Sequence, residues 1–340
     1  MIYFTVITIF TVLFIFSYPY VVEKMNQVAQ KDINIKISEI APNSTSDVEK
    51  SISILNWVNQ NLFNPYNELP LISIVPNFGV YSNEPFICIR SISHQTPSLP
   101  FVSRCGACGE HALLFRELAN ASGLRVRSVH NPGGDHNWAE VFIDGEWVVV
   151  ETSSPYGYDY YGPYDFPTRK TYIFAEYPNL SKEDLTLRYG GNISNVTVTV
   201  KEGEKTVENA TIVVLSRNLN GGRYEGKILD TGLRCFTNKY GFCNFIINEG
   251  TYTILAVKND EYYSSKVDMS INLKSSNYTI QFNRSLDEVF IYFFEAWPRL
   301  NEENQDFHLI DILVVMTSLV TSWFSIIFLF NPYFKLLENE

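Results

Sequence analysis

The hydrophobic pattern changes character along the chain, and the two ends differ most from the middle. No residue from Met1 to Val22 is charged, and Ile2–Phe16 is almost wholly apolar before Pro19 and Glu23 end the run. About 20 helical residues cross a bilayer core of about 30 Å, so this segment is long enough to span. It reads as an uncleaved N-terminal anchor. A signal peptide is the alternative, although residues 1–22 lack a basic n-region and Ser17-Tyr18-Pro19-Tyr20 offers no small-residue cleavage site. At the far end Ile312–Phe330 is uncharged and apolar apart from Thr, Ser and Trp. It predicts a second transmembrane helix over residues 309–330 in preference to a buried core helix.

Two textures lie between these segments. Residues 47–188 mix helical and strand patterns: Ile52, Leu55, Val58 and Leu62 recur at helical spacing behind Asp47-Val48-Glu49-Lys50, with Ser46 as the N-cap. Residues 192–283 alternate instead. Val196/Val198/Val200, Tyr252/Ile254/Ala256, Met269/Ile271/Leu273 and Tyr278/Ile280/Phe282 each point one way between polar neighbours. Turn signals at Asn218–Gly222, Lys239–Gly241 and Asn248–Gly250 separate them. Short strands at regular spacing predict a β-sandwich, joined to the preceding domain near Gly190-Gly191. Residues 284–308 are polar and charged, a tether to the second span.

Composition narrows the function classes. The chain has 340 residues, 46% hydrophobic and 19% charged, which suits more than one packed domain and excludes compositional disorder. The 26 Lys plus Arg against 37 Asp plus Glu leave a net charge of −11, with no basic run able to neutralise a phosphate backbone. Nucleic acid is therefore not expected as a partner. Lys24 and Lys31 after the first span, against Lys335 after the second, weakly favour a cytoplasmic middle. Eight N-x-[ST] sequons and the cysteine pattern favour the opposite, and the central domains are expected outside the cell.

The chemistry concentrates in residues 103–151. Gly106-Ala107-Cys108-Gly109-Glu110-His111 runs into Leu113, Leu114 and Leu118 and stops at Gly123, a helix with Cys108 in its first turn. A helix N-terminus offers free N–H groups and a positive dipole end, which favour thiolate over thiol. His136-Asn137-Trp138-Ala139-Glu140-Val141 and Trp147-Val148-Val149-Val150-Glu151 flank Asp144-Gly145, a hairpin signal. If those two residues form the whole loop, Ile143 faces Glu146 and Trp138 faces Glu151. His136 then lies one diagonal step from Glu151 on the same face, within reach of a long carboxylate side chain. The result is a nucleophile on a helix end, an imidazole on a strand and an acid to orient it.

These residues resemble the transglutaminase-like superfamily, through Gly106-x-Cys108-Gly-Glu-x-Ala, His136-x-Trp138-x-Glu140-Val141 and an acid four residues after Trp147. The lead-in helix around Trp57-Val58-Asn59 fits as well. The resemblance covers roughly residues 48–175 and implies a papain-like α+β core. It implies Cys108 as nucleophile, His136 as general base and acid, and Glu151 as the orienting acid. Glu151 departs from the Asp found in most members. Residues 192–283 similarly resemble carboxypeptidase regulatory-like (prealbumin-like) modules, mainly through Val207–Ile212, Thr237–Phe245 and Gly250–Val257. That likeness implies adhesion or spacing rather than catalysis.

Other readings remain for the same residues. Cys105-x-x-Cys108 could form half a zinc site with His130 and His136, or a redox pair, though no second CxxC exists. Cys108 and His136 could be structural, and Glu151 a surface strand residue. Glu110 complements the helix N-terminus, and His94, His111 and His130 read as structural. Trp138 and Tyr156, the latter in the Tyr-rich loop Pro155–Pro167, are candidates to line a substrate cleft. The expected protein is a membrane-anchored thiol-dependent amide hydrolase or acyltransferase acting on a cell-surface protein or peptide, without a cofactor. A catalytically inactive surface module is the alternative. Five cysteines leave one unpaired. Cys235 and Cys243 bracket a turn and are expected to form a disulfide, and Cys88 with Cys105 a second, leaving Cys108 as the working thiol.

Overall fold

The computed structural model describes residues 23–24, 26–41, 46–64, 72–75, 78–80, 87–89, 99–104, 106–153, 160–162, 170–217, 228–258, 263–271 and 276–282. Among them no helix is long and apolar enough to cross a membrane. The two segments expected to span, 1–22 and 309–330, and the tether 284–308 lie outside the described residues.

The first half is mixed α and β. Helix α1 covers residues 26–40, and α2 (Asp47–Asn61) begins at Ser46, whose hydroxyl accepts from the Glu49 N–H at 3.2 Å. A small antiparallel sheet follows, of β1 (Ile72–Val75), β2 (Phe78–Val80) and β3 (Ile87–Ile89). Then come the short α3 (Leu99–Ser103) and α4 (Cys108–Ala121). Gly123, at φ +86°, takes the left-handed conformation that stops α4.

The main sheet is antiparallel and six-stranded: β4 (Val126–Asn131), β5 (His136–Ile143), β6 (Glu146–Glu151), β7 (Tyr160–Gly162), β8 (Phe174–Glu176) and β9 (Lys182–Asp184). The spatial order is β7-β6-β5-β4-β8-β9. The two helices α2 and α4 bury Ile54, Leu55, Val58, Leu114, Phe115 and Leu118 against Ala139, Val141 and Val150 on one face. The other face carries Val129, Trp138, Val149 and Ala175 and is covered by Leu185 and Tyr189 of the short α5 (Thr186–Tyr189) and its N-cap. Alternation along β5 is therefore not apolar-in, polar-out. Both faces are buried, as in a sheet with helices on two sides.

The second half is two four-stranded sheets packed face to face. One holds β10 (Ile193–Glu202), β11 (Lys205–Thr206), β14 (Phe242–Asn248) and β17 (Ser276–Gln281), with β17 parallel to β10. The other runs β13 (Ile228–Phe236), β12 (Thr211–Arg217), β15 (Gly250–Lys258) and β16 (Tyr263–Ile271). Val196, Val198 and Val200 meet Tyr252, Ile254 and Ala256, alternating positions that the pattern picked out, in one core with Ile212 and Val214. The Cys235–Cys243 disulfide joins β13 to β14 across the Asn238–Gly241 turn. Cys105 and the loop carrying Tyr156 lie outside the described residues, so a Cys88–Cys105 pair does too. Among the described cysteines Cys108 is the free one.

Candidate active site

Three local devices build the site. The first is the start of α4. Ala107 is its N-cap and has no side-chain acceptor, so the helix uses the return half of a capping box: Glu110 accepts from the Ala107 N–H at 2.9 Å. Cys108 is the first helical residue, with a backbone N–H that belongs to the set lacking an intrahelical acceptor. The segment before it is pinned to the end of α2, where Phe63 donates to Arg104 and accepts from Gly106, both at 2.9 Å. His111 ties the same turn down: its Nδ1 lies 2.9 Å from the Ala107 carbonyl and the ring also bonds the Leu62 backbone. Burial holds the His111 imidazole below its ordinary value despite its backbone hydrogen bonds.

The second device is the β5–β6 hairpin. Asp144 and Gly145 adopt φ +51° and +87°, the two-residue turn whose backbone twist matches the strands, and Ile143 pairs with Glu146. The register continues to Ala139 opposite Val150, which sets Glu151 against the start of β5. His136 Nε2 lies 2.8 Å from Glu151 Oε2. The other Glu151 oxygen accepts from the Ser153 N–H at 3.0 Å and faces the Ser153 hydroxyl at 3.5 Å, and the residue has 0% exposure. Both oxygens are thus occupied, and the carboxylate is fixed.

The third device is the imidazole between thiol and acid. His136 is hydrogen-bonded to Cys108 as well as to Glu151. Burial alone would lower the His136 value, but the Cys108 hydrogen bond, the Glu151 hydrogen bond and the charges of both push it up to about 10. The arrangement favours imidazolium at neutral pH. Its side chain keeps 12% exposure, and Cys108 is half-buried, so the pair is open to an incoming group.

Behind the ring lies a network that sequence reasoning did not anticipate. Trp138 stacks on His136 at 5.7 Å between centroids and donates its indole N–H to Tyr189 Oη at 3.2 Å. Tyr189 hydrogen-bonds Glu140, which also receives Arg127 Nε at 2.6 Å and Arg188 Nε at 3.0 Å. Burial and the Glu140 carboxylate push the Tyr189 hydroxyl far up, keeping it a neutral donor. Arg127 lies over the Trp147 ring at 3.9 Å and reaches Tyr177 and Glu183. This corrects one expectation: Trp138 has 0% exposure and no surface toward a cleft, because α5 covers that face of the sheet. Its place is under the imidazole. The signal available in sequence was the shared parity of positions 136, 138 and 140 on one strand.

The zinc alternative includes Cys105, which lies outside the described residues. Among the described residues no group of three or more His, Cys, Asp and Glu is arranged to hold a metal. His130 stacks instead on Phe174 at 5.0 Å. Glu110 and His111 take the structural roles expected of them.

No curated protein matches the chain. Solved structures that it resembles include a provisionally assigned protease from Parabacteroides distasonis, with 15% identity, 59% of this chain, 36% of that one and a TM-score of 0.28. A DUF3823 family protein from Parabacteroides merdae shares 9% identity over 27% of this chain and 47% of its own, with a TM-score of 0.21. The shaft pilin SpaA of Lactobacillus rhamnosus GG shares 9% over 48% and 88%, with a TM-score of 0.22. The chain thus spans less than half the length of the first two. Residues 90–152, the stretch that carries Cys108, His136 and Glu151, match the family model described as the transglutaminase-like superfamily.

Proposed function

We propose that the protein is a thiol-dependent amidase or acyltransferase, tethered to a membrane by its two apolar ends, with both folded domains outside the cell and a protein or peptide of the cell surface as substrate. The observation that carries this reading is one imidazole, His136, bonded on one side to Cys108 and on the other to a buried, doubly anchored Glu151. The first domain then has a papain-like core, and the sandwich is a carboxypeptidase regulatory-like module. Eight sequons and the Cys235–Cys243 disulfide support the extracytoplasmic placement.

The geometry supports the following course. The Cys108 thiolate attacks an amide carbonyl carbon, and the carbonyl electron pair moves onto oxygen. The Cys108 backbone N–H, at the positive end of α4, donates to that oxyanion. As the carbon–nitrogen bond breaks, imidazolium His136 gives its proton to the leaving amine, and a thioester remains on Cys108. Neutral His136 next takes a proton from the acceptor, water or an amine, as that acceptor attacks the thioester and restores the thiolate. Glu151 holds the ring in place and stabilises its charged form through each half-reaction. Trp138 supports the ring from beneath.

The test is a screen of the full chain against peptide, glutamine and glycopeptide amides, with and without an added primary amine, alongside Cys108→Ala. Turnover that disappears in Cys108→Ala supports the reading. Cys108 that alkylates no faster than a free thiol, with turnover indifferent to its removal, sinks it in favour of an inactive surface module.

A further inference from the structure

The loop that delivers His136 does not stand alone: it rests on the sandwich. Asn131 ends β4 and pairs with His136 at the start of β5, and Pro132–Gly134 forms a 3-10 turn between them, closed by Asp135 in the left-handed conformation. Asn131 is fully buried, and its side-chain oxygen accepts from Thr171 N at 3.2 Å and Thr171 Oγ1 at 2.8 Å. The Thr171 carbonyl in turn accepts from Asn248 Nδ2 at 2.8 Å, with Asn248 N at 3.4 Å. Asn248 is the last residue of β14, so a buried hydrogen-bonded chain runs from a sandwich strand to the residue paired with His136.

A second contact acts on the same turn from another strand. Gly133 is buried, and a Cβ there would fall 2.6 Å from Thr171 Oγ1 and 2.9 Å from Thr231 Cγ2. Thr231 lies where the β12–β13 ladder is irregular, and its hydroxyl is fixed on the Val214 carbonyl at 2.7 Å. Next to it a Cβ at Gly232 would stand 3.7 Å from Pro132 Cγ. The irregularity falls where β13 meets the turn. Two strands on different sheets of the sandwich therefore hold one three-residue turn.

We propose that the sandwich is a positioning element for the catalytic imidazole: Asn248, through Thr171 and Asn131, and Thr231, through Gly133, set where His136 meets Cys108 and Glu151. This rests on the catalytic reading above. None of the four side chains touches the reacting atoms, and each acts through the turn. The sandwich is then an integral part of the enzyme rather than a spacer, and whatever shifts it is transmitted to the thiol–imidazole contact.

The experiment follows the rate of Cys108 alkylation by iodoacetamide against pH, with thermal unfolding alongside, in the full chain. The variants are Asn248→Ala, Gly133→Ala and Cys235→Ser. The last opens the disulfide about 17 Å along β14 from Asn248, at about 3.4 Å per residue, and weakens the sandwich without touching the relay. Asn248→Ala should slow alkylation at neutral pH by up to about tenfold, one buried hydrogen bond's worth, and shift the pH profile toward that of a free thiol. Gly133→Ala should do so more strongly. Cys235→Ser should lower the unfolding temperature and leave the profile unchanged. Folded Asn248→Ala and Gly133→Ala proteins with the wild-type profile would overturn the inference alone. So would a Cys235→Ser protein with the same altered profile, because loss of sandwich stability would then suffice. A wild-type Cys108 that behaves as a free thiol would overturn the catalytic reading and this inference together.

Discussion

Replacing Glu151 by Gln removes one charge, keeps the shape, and isolates what the acid does. The imidazole moves from an ordinary 6.5 to about 10 in spite of a burial that opposes it. That displacement corresponds to about 5 kcal/mol in favour of imidazolium, shared between Cys108 and Glu151. A hydrogen bond to a charged group contributes about 1.5–3 kcal/mol, so Glu151→Gln should lower the upper inflection of the Cys108 alkylation profile by about 1–2 pH units. The Gln carbonyl must also choose between the Ser153 N–H and His136 Nε2, both of which the carboxylate now serves. The sign for stability follows from the raised value. Charged His136 contributes stability that is fully present below 6.5 and is lost as pH rises through about 10. The assay is an iodoacetamide rate profile from pH 5 to 11, paired with unfolding temperatures over the same range. Wild type should show an inflection near 10 and a falling unfolding temperature across that window. In Glu151→Gln both should move down to about pH 8–9. An upper inflection still near 10 would refute the role given to the acid.

Cys108→Ser should abolish turnover and lower the unfolding temperature at neutral pH, because the Cys108 share of the interactions that raise His136 is lost; retained turnover would count against the nucleophile. Glu140→Ala removes the buried carboxylate shared by Arg127, Arg188 and Tyr189 and should cost about 3 kcal/mol in urea unfolding, with Arg127 keeping only its partly exposed partner Glu183. Gly145→Ala places a side chain at φ +87° with open space around it, so only backbone strain of about 1 kcal/mol or somewhat more is expected in the same measurement. Cys235→Ser opens a loop closed over a separation of 8 residues and should lower stability by about 2.5 kcal/mol on the chain-entropy estimate.

What the sequence reveals here is what short-range physics decides. The Ser46 cap, the stop at Gly123 and the Asp144-Gly145 turn are each settled within four or five residues, and each stands where the pattern put it. The turn alone carries the most information, since its length fixes the β5–β6 register and with it the approach of Glu151 to His136. Strand alternation likewise gave the inner face of the sandwich. What stayed hidden depends on pairing across long separations. Glu140 meets Arg127 from 13 residues away and Arg188 from 48, and Asn248 meets Thr171 from 77. No local pattern encodes those meetings. Trp138 was misplaced for the same reason: parity names a face, but only the four-residue α5, too short to show helical periodicity, reveals that this face is covered.

The acid shows how the two scales combine. An Asp is the usual residue in the resembling family, and Glu151 carries one methylene more. The hairpin register explains it. Extending the pairs from Ala139–Val150 puts Trp138 opposite Glu151, so His136 is a diagonal neighbour rather than a direct one. Diagonal positions lie about 7–8 Å apart at the backbone, a span that rewards a longer arm. Glu151 crosses it to reach Nε2 at 2.8 Å and still returns its second oxygen to the Ser153 N–H two residues on. A shorter acid at the same backbone position has one methylene less with which to reach both partners. The length of the side chain and the two-residue turn are therefore matched, and a change in either would require a change in the other.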